Sequence, residues 1–167
     1  MPTYVTYKSI MLWRHADALP IGANIQDDIS RPLSKKGQHQ AKIMAAWLKS
    51  HSPKEIITIS SKAVRSQQTA KALTNDFILS DGLAPGVSLM NVLETINGIS
   101  DSNKLNANLL IVGHQPWLGE LAAYLLNPLS EIEGLNIKKA ALWWFKRARY
   151  QSNDAFDLIT VQTPSLL

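Results

Sequence analysis

The chain has 167 residues, of which 46% are hydrophobic and 18% are charged. This balance is typical of one globular domain covering residues 1–167, and it excludes intrinsic disorder, a collagen-like repeat and a coiled coil. The sequence contains no cysteine, which excludes disulfide frameworks, thiolate zinc sites, iron–sulfur clusters and cysteine nucleophiles.

The formal net charge is +4 at pH 7, and no zinc-finger, basic-zipper or RNA-recognition signature accompanies it. We therefore expect no nucleic-acid partner. The densest basic segment, Lys138 to Arg149, has two interpretations: the solvated ends of a buried strand, or a docking face for an acidic partner. No apolar run approaches the roughly 20 residues of a membrane span, and no basic segment precedes the first apolar run. We expect a soluble, cytoplasmic protein.

The first half of the chain predicts a strand, a loop, a helix and then a second strand and helix. The apolar run from Tyr7 to Trp13 indicates a buried strand, and residues 17–33 carry the Pro, Gly, Asn and Asp of a loop. Ser34 is placed to cap a helix that runs to about Ser50, with one face made by Gly37, Ala41, Met44, Ala45 and Leu48. Residues 55–60 predict the second strand, and residues 63–75 predict the second helix.

The second half of the chain predicts one more strand and helix, followed by two late strands. Residues 108–112 form an apolar burst that ends at Gly113-His114, and Pro116 marks the first turn of a helix. Residues 140–145 and 156–161 indicate strands joined by a polar turn at residues 151–154. Strands that alternate with helices predict a single-domain, three-layer α/β/α fold on a mainly parallel sheet. Since no crossover helix separates the late strands, we expect an antiparallel late strand.

Two histidines follow predicted strands, His15 after the first and His114 after the third. Because open α/β sheets bind ligands outside the carboxyl ends of their strands, both should face one crevice, together with Arg14 and Arg65. Arginine forks suit phosphate oxygens, and histidine serves as a nucleophile, acid or hydrogen-bond donor. The sequence has no Gly-rich P-loop that would cradle a nucleoside triphosphate. The cluster therefore predicts a pocket for one phosphoryl group.

Four segments, in order between residues 8 and 126, resemble the histidine phosphatase superfamily with its phosphoglycerate-mutase-like fold. They are Leu12-Trp13-Arg14-His15-Ala16; Arg31-Pro32-Leu33-Ser34 with Gly37, Gln40 and Ala41; Ser60-Ser61 with Arg65, Gln68, Thr69 and Ala70; and Gly113-His114-Gln115-Pro116. The short chain is most similar to the SixA-type phosphohistidine phosphatase branch. Ala16 replaces the glycine of the family's Arg-His-Gly signature, and Lys62 stands where the family often has proline.

The resemblance implies that His15 is the nucleophile and forms a transient phosphohistidine that water hydrolyses. It also implies that Arg14 and Arg65 stabilise the equatorial oxygens of the phosphoryl group, and that His114 donates to the same oxygens. The chemistry agrees, because positive neighbours keep His15 neutral near pH 7. The implied substrate is a phosphorylated protein that carries phosphohistidine, or a small phosphate ester. No cofactor and no metal are implied.

The sequence leaves the leaving-group acid open. Glu94 lies where many members of the family have a Leu-x-Glu proton donor, but it could equally be a first-turn helix carboxylate. Asp17 is the other carboxylate close to a histidine in the sequence. We interpret Ser34 as a helix cap and Ser66 as a helix-surface residue.

Four alternative functions make different demands on the sequence. A small-molecule phosphomonoesterase would use the same residues. A mutase needs lid segments that exclude water, and this chain is too short to offer many. A metal hydrolase would use His15, Asp17 and His114, but the sequence has neither an HExxH pattern nor a dense ligand cluster. A phosphate-binding protein without catalysis does not need an unprotonated nucleophile.

Overall fold

A computed structural model describes residues 6–22, 24–99, 106–129, 133–148 and 155–167. The strands are β1 (Ser9–Arg14), β2 (Ile57–Ser61), β3 (Ile78–Ser80), β4 (Asn108–Gly113), β5 (Leu142–Arg147) and β6 (Phe156–Gln162). The helices are α1 (Lys35–His51), α2 (Val64–Leu73), α3 (Leu89–Gly98) and α4 (Trp117–Leu126), with short 3₁₀ turns at Asp81–Leu83 and Pro164–Leu166. No helix in this part of the chain is long and apolar enough to cross a membrane.

The six strands form one mixed sheet in the order β3-β2-β4-β1-β5-β6. The first four strands in this order pair in parallel. β5 pairs antiparallel with β1, and β6 pairs antiparallel with β5. The mainly parallel sheet and the antiparallel late strand predicted from the sequence are therefore confirmed. The predicted turn at residues 151–154, like Arg149 of the basic segment, lies outside the described residues.

Helices cover both faces of the sheet, which makes the predicted three-layer arrangement. Alternate residues of β1 enter two separate cores, because successive side chains of a strand point to opposite faces. Ile10 and Leu12 pack with residues of α3 and α4, whereas Met11 and Trp13 pack with residues of α1 and α2. β4 repeats this alternation, and both strands are buried.

Helix α1 begins as the sequence predicts. The Ser34 hydroxyl accepts a hydrogen bond from the backbone N–H of Gly37 at 3.0 Å, which satisfies one of the free donors of the first turn. The predicted apolar face is buried throughout: Gly37, Ala41, Met44, Ala45 and Leu48. Gly37 lies so close to the chain after β1 that a Cβ there would stand 1.9 Å from the carbonyl oxygen of Asp17. This glycine lets α1 lie against the end of β1.

Two elements, β3 and α3, were not predicted as a strand and a helix from the sequence. β3 has three residues at the edge of the sheet, and Ile78 and Leu79 are exposed, so no alternating pattern marks it. α3 begins at Leu89, behind the cap Ser88, whose hydroxyl accepts from the Asn91 N–H. Its buried side chains close the core beside α4.

Candidate active site

Three adjacent strands, β2, β4 and β1, bring four predicted site residues to one edge of the sheet. Arg14 ends β1 and His15 follows it, His114 follows β4, and Arg65 lies in the first turn of α2 after β2. The backbone N–H of His15 donates to the Gly113 carbonyl at 3.0 Å, so the two histidine segments are joined directly. These four side chains therefore lie together at the carboxyl ends of the strands, where the sequence predicts the crevice.

The two imidazole rings face each other with their centroids 5.0 Å apart. Both side chains are buried, His15 at 7% exposure and His114 at 2%. His15 Nδ1 lies 2.8 Å from the carbonyl oxygen of Ala16. Because a carbonyl oxygen only accepts, Nδ1 carries the ring proton and Nε2 keeps its lone pair. His15 is therefore held in the tautomer that a nucleophile at Nε2 requires.

Arg65 connects both histidines. Its Nε donates to His15 Nε2 at 3.3 Å, and its Nη2 donates to His114 Nδ1 at 3.4 Å. On the opposite side, Nη2 donates to Asp28 Oδ2 at 2.7 Å and Nη1 donates to the Asp28 carbonyl oxygen. The side chain is 4% exposed. Arg65 is thus a buried cation of the site, not a charge on the helix surface.

Two serine hydroxyls lie within hydrogen-bonding distance of His114 Nε2. Ser61 Oγ is 2.9 Å and Ser66 Oγ is 3.3 Å from His114 Nε2. The interpretation of Ser66 as a helix-surface residue is wrong: it is fully buried, because α2 turns the face that carries Arg65, Ser66 and Thr69 toward the sheet. Since Arg65 only donates, His114 Nδ1 accepts and Nε2 carries the proton toward a serine.

Arg14 lies at the same edge and holds a segment that follows α4. Its Nη1 donates to the carbonyl oxygen of Ile137 at 2.8 Å, whereas its buried Nε has no partner among the described residues. The backbone N–H of Ala140 donates to the His15 carbonyl at 3.2 Å. Ala140 adopts φ +61°, a left-handed conformation that costs a non-glycine residue energy and is often found at functional sites.

Other residues of the four matching segments support the backbone around His15. Thr69 Oγ1 accepts from the Ala16 N–H at 3.1 Å and donates to the Arg65 carbonyl at 2.7 Å. Gln40 Oε1 accepts from the Asp17 N–H at 3.1 Å, and Gln68 Oε1 accepts from the Leu33 N–H at 2.6 Å. Gln40 of α1 and Gln68 and Thr69 of α2 are therefore polar because each accepts a hydrogen bond from a backbone N–H group.

The surroundings of His15 disfavour its protonated form. Burial lowers its pKa the most, the hydrogen bond to Ala16 raises it, and the positive charges of Arg65, Arg14 and Lys139 lower it further, to about 4. Burial also lowers the pKa of His114, as do His15 and Arg65. Both rings are therefore neutral at pH 7, in agreement with the expectation that positive neighbours keep the nucleophile unprotonated.

Three carboxylates differ in their relation to the site. Asp17 forms an ion pair with Lys139 at 2.8 Å and accepts from Ser34 at 2.7 Å, and these hydrogen bonds lower its pKa. Glu94 is exposed in the second turn of α3, so it is not a first-turn carboxylate. No hydrogen bond or ion pair of the described residues joins Glu94 to either histidine. Asp28, which binds Arg65, was not singled out from the sequence, where only its three-residue spacing from Arg31 marks it.

Two other features that could mark a functional site are a cluster of metal-binding side chains and a cavity. Within the described ranges, no three His, Asp or Glu side chains lie close enough together to hold a metal ion. A cavity of about 480 Å³ lies at the other end of β2 and β4, lined by residues that include Lys54, Ile57 and Asn108, and none of the site residues lines it.

The amino-acid sequence is similar to those of known proteins. The profile of the histidine phosphatase superfamily (branch 1) matches residues 10–84. The chain is 28% identical over 149 residues to a phosphohistidine phosphatase SixA homolog of Haemophilus influenzae, which covers 81% of this chain and 88% of the relative. It is 30% identical over 152 residues to an uncharacterised protein of a Picosynechococcus strain, covering 87% of this chain and 90% of that protein.

Solved structures share the fold over almost the whole chain. The protein histidine phosphatase SixA complexed with tungstate superposes with a TM-score of 0.76 at 20% identity, covering 95% of this chain and 98% of the other. A phosphoserine phosphatase of Entamoeba histolytica in complex with phosphoserine superposes with a TM-score of 0.64 at 16% identity, covering 95% and 98%. The predicted phosphoglycerate-mutase-like architecture is confirmed by these likenesses.

Proposed function

This chain belongs to the histidine phosphatase superfamily and is a phosphatase, and we propose that it removes phosphate from phosphohistidine on a protein, without a metal ion, by way of a phosphohistidine on His15. The observation that carries the proposal is the geometry around His15 Nε2. This nitrogen keeps its lone pair because Nδ1–H is engaged by the Ala16 carbonyl, and Arg65 Nε lies 3.3 Å from it. A nucleophilic nitrogen next to a guanidinium suits attack on a phosphoryl group.

In the first step of the proposed reaction, His15 Nε2 attacks phosphorus and the bond from phosphorus to the leaving nitrogen breaks. The electron pair of that bond goes to the leaving imidazole. Arg14 and Arg65 donate to the equatorial oxygens, where negative charge is concentrated during transfer. Because Nδ1 of His15 keeps its proton, the phosphorylated ring is a cation and is itself a good leaving group.

In the second step, water attacks phosphorus and the bond to His15 Nε2 breaks, returning its electron pair to the ring. Inorganic phosphate leaves, and the protons of water pass to phosphate and solvent. His114 donates to the phosphoryl oxygens from Nδ1 if its proton moves there from Nε2. The hydroxyls of Ser61 and Ser66 permit this change, because a hydroxyl accepts from one tautomer and donates to the other.

The leaving group favours phosphohistidine over an alkyl phosphate ester. An alkoxide is a poor leaving group and needs a proton donor in the transition state, whereas a protonated imidazole leaves as a neutral ring. The carboxylate of Asp17 is bound to Lys139 and Ser34, which disfavours its protonated form. Glu94 remains our proposed general acid for ester substrates, and a phosphohistidine substrate should depend on it less.

The surface beside the crevice suits a protein substrate. Leu19, Ile21 and Ile29 expose 40%, 58% and 45% of their surface and offer apolar contact on the loop between β1 and α1, which also carries Asp28. Lys36 and Lys139 are exposed nearby on α1 and in the segment before β5. This combination favours an acidic protein surface with some apolar residues. Only the start of the basic segment, Lys138 and Lys139, can contribute to such docking, because Lys146 pairs with Ser9 at the opposite end of β1. The cytoplasmic location expected from the sequence stays a prediction.

A substrate panel tests this function. Values of kcat/KM are compared for a protein phosphohistidine domain, sugar phosphates and an aryl phosphate, in the presence of a chelator. We expect the highest value for phosphohistidine and no loss in the chelator. A clearly higher value for a sugar phosphate would identify a small-molecule phosphomonoesterase of the same superfamily instead.

A phosphoenzyme trap tests the nucleophile. We expect rapid quenching with labelled substrate to place the label on His15, and His15→Ala to lose turnover while it keeps its fold. His39→Ala, an exposed histidine of α1, is the matched control and should keep full activity. Label found on His114 would reverse the two histidine roles.

A further inference from the structure

The guanidinium of Arg65 has two bidentate edges, and the structure gives them different partners. The edge formed by Nε and Nη2 faces His15 and His114, with separations of 3.3 and 3.4 Å. The edge formed by Nη1 and Nη2 is bound by Asp28, through both its backbone carbonyl and its carboxylate. One residue therefore fixes the rotation of the guanidinium and leaves the first edge for the reacting group.

We propose that Asp28 is a positioning residue for the phosphatase reaction, which holds the Nε–Nη2 edge of Arg65 toward the phosphoryl group. The inference rests on the proposed function only in naming that ligand. A planar guanidinium aligns its donors with phosphate oxygens only when its rotation is fixed. Without the Asp28 carboxylate the charge of Arg65 stays in the crevice and Nη1 keeps the backbone carbonyl, but Nη2 loses the partner that aligns it in the transition state.

Asp28 is itself held in place from the other side. Arg31 Nη1 donates to Asp28 Oδ1 at 2.8 Å, and Arg31 Nε donates to the Leu19 carbonyl at 2.6 Å. Burial raises the pKa of Asp28, but hydrogen bonds from Arg31 and Arg65 outweigh this and lower it. The carboxylate is therefore ionised at neutral pH, so it suits a charged acceptor for Arg65 and not a proton donor.

The loop does not need the Asp28 side chain to stay near α2. The backbone N–H of Val64 donates to the Ile29 carbonyl at 2.9 Å, and the Leu33 N–H donates to Gln68 at 2.6 Å. The Asp28 side chain is 44% exposed, so its removal leaves no buried cavity. Its loss should therefore change the site more than the stability of the protein.

The neighbouring residue offers a matched control. Asp27 lies in the same loop and has the same charge, but its carboxylate accepts from the Ser30 N–H at 2.8 Å and makes no contact with Arg65. An asparagine at position 27 keeps that acceptor. The variants to compare are therefore Asp28→Ala, Asp28→Asn and Asp27→Asn.

Steady-state kinetics on an aryl phosphate, with each variant checked by circular dichroism, separate positioning from a structural role. For Asp28→Ala we expect kcat to fall about 10- to 100-fold, the usual effect of losing a partner that orients a site residue, with KM changed by less than about threefold. Asp28→Asn should retain part of the lost activity, because its amide oxygen still accepts from Nη2. Asp27→Asn should match the wild type.

A binding measurement without turnover completes the test. Vanadate resembles the five-coordinate transition state and inorganic phosphate resembles the product, so the ratio of their affinities reports alignment in the crevice. We expect Asp28→Ala to lower this ratio about as much as kcat. A ratio equal to that of the wild type, or kinetics of Asp28→Ala equal to those of Asp27→Asn, would overturn the inference. If Asp28→Ala does not fold, Asp28→Asn decides: a vanadate-to-phosphate affinity ratio below that of the wild type would support the inference, and an unchanged ratio would overturn it. Failure of the proposed function would show instead in the wild type, as a preference for a sugar phosphate over phosphohistidine, and it would leave these comparisons on an aryl phosphate unchanged.

Discussion

The protonation of His15 can be tested through the pH dependence of stability. Its pKa in the folded protein is about 4, whereas an unperturbed histidine has a pKa of 6.5. Between these two values the unfolded chain binds a proton at this position and the folded protein does not. The free energy of unfolding should therefore be highest above pH 6.5 and fall as the pH decreases from 6.5 to about 4.

The size of the effect follows from the same two values. At about 1.4 kcal/mol for each pH unit, the contribution of His15 to stability decreases by about 3 kcal/mol across this window. The fraction of His15 that is neutral, and so able to react, also changes greatly. At pH 6 about 99% of the His15 rings are neutral when the pKa is about 4, whereas only about a quarter would be neutral with the ordinary histidine pKa of 6.5. Mildly acidic solution should therefore lower stability well before it protonates the nucleophile.

Urea unfolding at several pH values between 8 and 4.5, with wild type and His15→Gln side by side, measures this contribution. His114 is present in both proteins, so the difference between the two curves reports mainly the contribution of His15. Between pH 8 and 4.5 the wild type should lose about 2.5 kcal/mol more than the variant, and the His15 ring should titrate near pH 4 by NMR. Parallel stability curves, or a ring that titrates near 6.5, would refute the assignment of burial and neighbouring cations as the cause.

Further substitutions test individual contacts. Arg65→Ala should lower kcat by about 10²–10³, because a preorganised donor to the transition state is lost; near-normal turnover would show that the contacts with both histidines are not used. Glu94→Gln should lower kcat/KM more for alkyl phosphates than for phosphohistidine, and equal losses would contradict the leaving-group argument. Gly37→Ala should destabilise the protein by about 1–3 kcal/mol in urea unfolding, because its Cβ would stand 1.9 Å from the Asp17 carbonyl oxygen. Gly98→Ala, which meets no atom within 4 Å, is the neutral control.

The periodic parts of the fold were predictable from the sequence. The five residues chosen as the inner face of α1 are all buried, because the 3.6-residue period of a helix on a sheet appears directly in the sequence. β1 and β4 could also be recognised in the sequence. Because both strands are covered on both faces, each appears as a continuous apolar run. β3 gave no such signal, since it is short, lies at the edge and exposes two of its apolar side chains.

The site residues that directly follow strands could be predicted from the sequence. Those whose position in the site depends on tertiary contacts were harder to predict. His15 and His114 were found because each ends an apolar run, and a parallel sheet places such ends together. Ser66 was misjudged because its hydroxyl suggests a solvent-facing position. Its spacing to Thr69 and Ala70, at i+3 and i+4, was the available signal for a buried face. Asp28 lies in a loop, where no periodicity indicates which residue Arg65 will contact.

The proposed reaction requires His114 to change the hydrogen bond that its Nδ1 makes. In the structure, His114 Nδ1 accepts from Arg65, and Asp28 and Asp17 form ion pairs with Arg65 and Lys139. A bound phosphoryl group presents only acceptors to His114, so the ring must offer a proton on Nδ1. A move of the ring proton from Nε2 to Nδ1 supplies this donor without a second proton on the ring. Ser61 and Ser66 make that tautomer available, because each hydroxyl can turn to donate to Nε2. The two buried serines next to the ring thus suit a site in which His114 changes its tautomer.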